Sequence, residues 1–137
     1  MTGEFRTYKI EDAAGVLQFR AVVQGTAATQ CKKPSAENEG KFLGITQEAQ
    51  ATQHRSVKVQ TRGRTFAVAA TGTIAVGDYV RIADNTGKMN SAQADVVATP
   101  ATAKTNYVIG TAVTAAAADG DIFELDILPF VVKTAQS

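Results

Sequence analysis

Hydrophobic and polar residues alternate along several short segments of the chain, and this pattern predicts β-strands. Residues 16–24, 56–62, 79–83 and 122–128 place apolar side chains at every second position, the period of a strand with one buried face. Shorter apolar runs at residues 42–46, 65–69 and 107–113 are typical of more deeply buried strands. The predicted inward positions include Leu17, Phe19, Val57, Val59, Val80, Ile82, Phe123, Leu125 and Ile127.

Glycine, proline and polar clusters separate these segments. Residues 84–87 read Asp-Asn-Thr-Gly, a run of turn formers that predicts a tight chain reversal. Gly63 marks a turn or β-bulge, and Pro129 is expected to end the last strand. Residues 32–40 predict an exposed loop, and residues 90–106 predict a surface excursion with one helical turn near residues 92–97.

Short strands joined by glycine-marked turns favour a closed barrel, because closure removes exposed sheet edges. We predict an all-β fold, a small antiparallel β-barrel or barrel-like sandwich with long loops and flexible terminal arms. Its expected parts are an N-terminal arm at residues 1–15, a barrel domain at residues 16–130 and a C-terminal tail at residues 131–137. Residues 42–46 and 57–59 match residues 108–112 and 123–125 in layout, so two similar hairpins are expected to pair within one barrel.

The composition limits the kinds of partner. The 137 residues include 14 basic and 13 acidic side chains, a formal net charge of +1. Such a balance gives no overall field that would attract nucleic acid or an anionic membrane. The first 25 residues lack a signal-peptide pattern, and no run of 18 apolar residues occurs, so we expect neither export by such a signal nor a membrane-spanning segment.

Candidate catalytic and metal-binding residues are few. His54 is the only histidine and lies in a polar stretch without a neighbouring carboxylate, so we interpret it as an exposed loop residue rather than a catalytic base. Cys31 is the only cysteine, which excludes an intramolecular disulfide. Together these two residues are too few for a zinc site. We therefore predict a protein that is not an enzyme and has no catalytic residues, metal or cofactor.

A basic run is the most unusual local feature of the sequence. It consists of Arg55, Lys58, Arg62 and Arg64, and the last three share one face of a predicted strand. The run could dock on an acidic protein surface, contact a nucleic-acid backbone or form an ordinary solvated strand face. Nucleic-acid binding is disfavoured, because Phe66 is the only aromatic residue close by and is expected to alternate inward.

The order of these segments is similar to that of the bacteriophage capsid cement, or head decoration, proteins. The resemblance runs from about residue 22 to residue 128. It rests on Lys-Pro-Ser at residues 33–35, Phe-Leu-Gly-Ile at 42–45, Gly-Asp-Tyr-Val at 77–80, and the closing segments 108–112 and 120–125. It implies a β-barrel protein, often a trimer, that is made in the host cytoplasm. Such a protein binds the major capsid protein on the outer surface of an assembled head and reinforces the shell.

The N-terminal segment adds an expected contact to this picture. Phe5 and Tyr8 are aromatic residues near a terminus, and we expect them to contact the capsid or a neighbouring protomer together with the basic run. An alternative function is a non-enzymatic carbohydrate- or ligand-binding β module of a phage surface structure. That class favours exposed aromatic residues, yet the chain has no Trp and only three Tyr.

Overall fold

The computed structural model describes residues 3–97 and 104–134, and strands dominate them. The elements are β1 Gly3–Ile10, β2 Ala21–Gln24, β3 Gln30–Lys32, β4 Phe42–Thr46, β5 Ser56–Val68, β6 Tyr79–Ile82, β7 Met89–Ser91, α1 Gln93–Val97, β8 Lys104–Ala112 and β9 Ile122–Thr134. The predicted all-β class is confirmed. The short helix α1 forms the helical turn that was predicted near residues 92–97, and residues 98–103 of the predicted excursion lie outside the described part.

Five strands close a first barrel. Strand β1 pairs in parallel with β3 and antiparallel with β5. Strand β2 pairs with β3 on one side and with β4 on the other, and β4 pairs with β5. The ring β1-β3-β2-β4-β5 therefore has no open side, and the prediction of a closed barrel is confirmed. All strand pairs of this barrel are antiparallel, as predicted, except β1 and β3, which pair in parallel.

The N-terminal segment belongs to this barrel rather than to a flexible arm. Residues 3–10 form β1, which pairs with residues 56–63 of β5. Ile10 is fully buried and Tyr8 packs against the same core. Only these two positions of β1 carry large inward apolar side chains, so the alternation was too short to predict a strand.

Two other boundaries also differ from the expectation. Strand β2 begins at Ala21, because Leu17 is exposed and Phe19 adopts the positive φ of a turn residue. Strand β9 continues past Pro129 to Thr134 and pairs with β8, so residues 131–134 are not a loose tail; residues 135–137 lie outside the described part. Proline is tolerated because the β8–β9 register shifts opposite it, where no ladder N–H is required.

A second ring of five strands is built from the other end of β5. Residues 63–68 of β5 pair with β9, which pairs with β8, and β8 leads through β6 to β7. A parallel bridge between Ala69 and Met89 closes this ring. Strand β5 passes from one barrel to the other at Gly63, which pairs with both Gly3 and Ile127 and has a φ of 86°. The turn or bulge predicted at Gly63 is this junction.

The two barrels repeat one strand plan. Each pairing of the first barrel has a counterpart in the second at a matching position in the chain. Corresponding pairs are Ile10–Cys31 with Ala69–Met89, Val22–Gly44 with Val80–Gly110, Ile45–Gln60 with Thr111–Asp126, and Val16–Gln50 with Ile74–Ala116. The predicted similarity of the two hairpins is part of this repeat, but the hairpins belong to two barrels joined through β5 and β9.

The interiors of the barrels follow the same correspondence. The first contains Tyr8, Ile10, Val16, Val22, Cys31, Leu43, Val57 and Val59. The counterparts in the second are Ala67, Ala69, Ile74, Val80, Met89, Ile109, Phe123 and Leu125, all members of one larger cluster. That cluster also includes Ala21, Val23 and Ile45 from the first barrel, so apolar packing joins the two barrels.

A buried polar contact joins the loop after β3 to the second barrel. Arg81 donates hydrogen bonds to Asn90 Oδ1 at 3.2 Å and Asn106 Oδ1 at 3.1 Å, and it lies 3.8 Å from the Glu37 carboxylate. The side chain of Asn38 accepts from Tyr107 N–H and donates to the Thr105 carbonyl, as a neighbouring strand would. This part of the predicted exposed loop is therefore held in place.

Candidate interaction surface

The exposed cations of the basic run, together called the basic face here, follow β5 from the turn before it, along the first barrel, to the junction with the second. Lys58, Arg62 and Arg64 are exposed on β5, whereas Val57, Val59 and Thr65 point inward. Arg55 is exposed in the turn before β5, where its carbonyl accepts from Ile10 N–H. All four cations are exposed, but a register shift and the buried Gln60 lie between Lys58 and Arg62, so the single shared face stays a prediction.

The two aromatic residues of β1 have different environments. The Phe5 ring is 47% exposed and lies 4.4 Å from the Lys58 ammonium, close enough for a cation–π interaction. Phe5 thus extends the basic face with an apolar contact. Tyr8 is half-buried and packs against the interior of the first barrel. Tyr8 therefore contributes to the core, and this position does not fit its expected role as an exposed contact with the capsid or a neighbouring protomer.

Carboxylates approach the basic face from neighbouring strands. Glu4 of β1 lies across from Arg62, and Asp126 of β9 lies across from Arg64. The Glu48 carboxylate accepts the backbone N–H of Lys58 at 3.1 Å. None of the four cations of the run forms an ion pair with a described residue. Their charge remains available to a partner.

Phe66 points outward, and the expectation that it alternates inward is wrong. Its ring is 47% exposed and lies 5.7 Å from the ring of Phe19. Phe66 shares the outward side of β5 with Arg62 and Arg64, so the face ends in an aromatic pair. The strand register explains this, because Thr65 and Ala67 occupy the buried positions on either side.

The charge of the chain is divided between the barrels. Residues 1–62 contain nine Lys and Arg against six Asp and Glu, whereas residues 63–137 contain five against seven. A near-neutral total conceals this division, which a count by halves reveals. The first barrel can therefore attract an acidic surface even though the whole chain cannot.

The single histidine and cysteine are not arranged for catalysis. His54 is exposed in a turn, has a φ of 67°, and donates its backbone N–H to the Ile10 carbonyl. Cys31 is fully buried, and this burial, with a smaller effect of the Asp12 charge, raises the pKa of its thiol to about 11. Such a thiol is unreactive at neutral pH. Within residues 3–97 and 104–134, no three His, Cys, Asp or Glu side chains converge as metal ligands.

Two comparisons relate the chain to phage structural proteins, and a third finds no match among curated proteins. In the described ranges, no helix is long and apolar enough to cross a membrane. The crystal structure of the head fiber gp8.5 N base of bacteriophage phi29 has a similar fold, with a TM-score of 0.61 and 18% sequence identity over 93% of this chain and 95% of that one. The family model for phage cement proteins matches residues 2–127. The chain belongs to the phage cement protein family.

Proposed function

We propose that this protein binds the outer surface of an assembled phage head and stabilises the shell, with the basic face of its first barrel in contact with the coat. Family membership supports a structural role in the virion. The observation that favours this face is the exposed set of cations beside Phe5, without ion pairs to described residues, on the barrel that holds the excess positive charge.

The physical task suits such a molecule. A cement protein gains affinity from area and charge complementarity, and many copies on one lattice act together. Rigid closed barrels present a contact face with little ordering cost on binding. The homotrimer implied by the family resemblance is part of this proposal, and it would carry three copies of the basic face.

The first experiment measures whether the protein is a shell component. Quantitative mass spectrometry of gradient-purified virions compares its abundance with that of the major coat subunit. Abundance near that of the coat is expected. Trace amounts would overturn the proposal and favour the carbohydrate- or ligand-binding module. Analytical ultracentrifugation of the free protein tests the trimer.

Co-sedimentation with purified heads tests the face itself. We expect Arg62→Glu to weaken binding about tenfold, equivalent to roughly 1.4 kcal/mol. Lys41→Glu is the matched control, because it reverses one exposed charge outside the basic run. Phe5→Ala should also weaken binding, and it leaves β1 in place, whereas deletion of residues 1–10 would remove a barrel strand. Equal binding by Arg62→Glu and Lys41→Glu would show that this face is not the contact.

A further inference from the structure

The turns that precede β2 and β6 occupy the same place in the two barrels but carry opposite charges. Phe19 N–H donates to Thr46 O, as Gly77 N–H donates to Ala112 O. The carbonyl of the next residue in each turn accepts a hydrogen bond from the same strand residue: Arg20 O from Thr46 N–H, and Asp78 O from Ala112 N–H. Arg20 and Asp78 are therefore structural counterparts.

In the second barrel this site contains its own carboxylate. Asp78 Oδ2 accepts from Ala75 N–H at 3.0 Å and from the Ser91 hydroxyl at 2.9 Å. Ser91 lies across from Val80 at the edge of the barrel. The anion is thus held by one backbone donor and one side-chain donor of its own chain.

In the first barrel the corresponding positions carry cations. By the same correspondence, Leu17 takes the place of Ala75, and Lys33 takes the place of Ser91. Arg20 Nη1 donates to the Thr86 carbonyl at 3.2 Å, while its Nε is buried without a hydrogen-bond partner among the described residues. Lys33 forms no ion pair with any part of the chain that the structure describes. The site has donors and positive charge but lacks the carboxylate of its counterpart.

These cations border an apolar hollow of about 310 Å³. Ala14, Val16 and Leu17 contribute to its wall, and Leu17 is 58% exposed. The carboxylate of Asp12 is engaged by the backbone N–H of Lys33 at 2.8 Å, and it only partly offsets the charge of the two cations. A hollow with an apolar wall and a cationic rim fits a carboxylate carried next to an apolar side chain.

We infer that this hollow receives an acidic residue with an apolar neighbour from an extended segment of the coat subunit. The inference rests on the proposed function and names a second contact within it. The Asp78 carboxylate of the second barrel shows the group that this turn accommodates. The contact between Phe19 and Phe66 places the turn beside the aromatic end of the basic face, so we expect one coat surface to reach both.

A titration of the isolated protein tests the chemistry of the hollow. Sodium hexanoate serves as the probe, hexanol as the uncharged control, and backbone amide shifts as the readout. We expect saturable shifts at Leu17, Arg20 and Lys33 with hexanoate, much weaker ones with hexanol, and none at Ala75, Asp78 and Ser91. Lys33→Gln should reduce the affinity for hexanoate several-fold. Absence of saturation, or unchanged affinity in Lys33→Gln, would overturn the inference.

Co-sedimentation with heads tests the occupant. Arg20→Gln and Lys33→Gln should each bind heads at least fivefold more weakly than Lys41→Gln, with folding confirmed by circular dichroism. If they bind like wild type while Arg62→Glu binds weakly, the hollow is not a coat contact but the proposed function stands. If the wild type does not bind heads, the proposed function fails. If the variants instead lose self-association, the occupant is a second copy, and the assignment to the coat is wrong.

Discussion

The two barrels fill equivalent interior positions with side chains of different size. In the first, the large residues Tyr8 and Ile10 come from the opening strand and face Val57 on the closing strand. In the second, the opening strand β5 supplies Ala67, the bridge residue after it is Ala69, and the closing strand supplies Phe123. Inward direction is retained, and larger residues elsewhere in the second barrel, Met89 in place of Cys31 and Leu125 in place of Val59, offset its two alanines, as a packed core requires. The repeat therefore survives with little sequence identity.

The outer surfaces of the barrels differ more than their interiors. The first barrel exposes the basic run and carries Arg20 and Lys33 at its hollow, whereas the second satisfies the equivalent site with Asp78. Surface charge contributes little to folding, so each barrel was free to acquire its own charge. This difference is the reason that we propose the first barrel, rather than the second, as the contact with an anionic surface.

Exchanging the large side chain of the second barrel gives the largest expected effect. Phe123→Ala should lower the free energy of unfolding by about 3–5 kcal/mol, because it leaves a cavity in a closed interior. Ala67 lies directly across from Phe123, so adding Ala67→Phe should restore at least about 1 kcal/mol of that loss. Urea denaturation of the four members of this double-mutant cycle measures the coupling. Strict additivity would mean that the two positions do not share one interior volume.

Substitutions at Gly44 and Gly110 test whether each barrel has the same close approach of a glycine to the backbone of the neighbouring strand. A Cβ at Gly44 would lie 2.2 Å from the Gln60 carbonyl oxygen, and one at Gly110 would lie 2.2 Å from that of Asp126. Each Gly→Ala substitution should cost about 3 kcal/mol, because strand backbones would have to separate. Gly72→Ala is the control: it has positive φ but open space, and should cost about 1 kcal/mol. Comparable losses at all three positions would contradict the contact.

The elements that the sequence predicted are those with long alternation or a distinctive turn. Strand β6 and the inward residues of β9 follow the period of two, and Gly87 closes the turn at residues 84–87 by donating its N–H to the Asp84 carbonyl. The repeat was visible only in the hairpins that end in β5 and β9. Elsewhere, equivalent positions carry side chains of different size, as Tyr8 and Ala67 do, so the two barrels have little sequence similarity to detect.

Only the part of the candidate surface that lies along a single strand could be predicted from the sequence. Periodicity correctly predicted that Lys58, Arg62 and Arg64 are exposed on one strand, but it could not show the register shift and the buried Gln60 that separate Lys58 from Arg62. It gave the wrong direction for Phe66 and missed the hollow at Arg20, since a sequence shows neither strand register nor the approach of distant turns. The hollow is lined by residues 14–17 and 20–22, Lys33 and Thr86, which are far apart in the chain.

The stability of the first barrel should depend on alkaline pH through the Cys31 thiol, whereas its counterpart in the second barrel, Met89, has no titratable group. The folded-state pKa of the Cys31 thiol is raised to about 11 from an ordinary value of 9.0. Folding therefore favours the protonated thiol, and the stability that this provides is complete below pH 9 and falls as the pH rises through 11. The expected loss is on the order of 2 kcal/mol. Cys31→Val should remove this part of the alkaline destabilisation, which denaturation between pH 8 and pH 11 measures. Equal pH slopes in both proteins would contradict it.

The smallest expected effect concerns a turn in which one barrel has glycine and the other does not. His54 and Gly120 both adopt positive φ, 67° and 90°, and each donates its N–H to the residue that closes its barrel, Ile10 or Ala69. A side chain with a Cβ is disfavoured in this conformation by about 1 kcal/mol. His54→Gly should therefore raise the unfolding free energy by up to about 1 kcal/mol.

The reciprocal substitution Gly120→His should lower the unfolding free energy by a similar amount, because nothing lies within 4 Å of a Cβ at Gly120 and only the backbone conformation opposes it. Thermal melts of the two single variants and the double variant measure the exchange. Since the turns lie in different barrels, the two effects should add and nearly cancel in the double variant. A stabilising Gly120→His would show that the turns are equivalent in hydrogen bonding but not in backbone energy, and would limit the repeat to its strands.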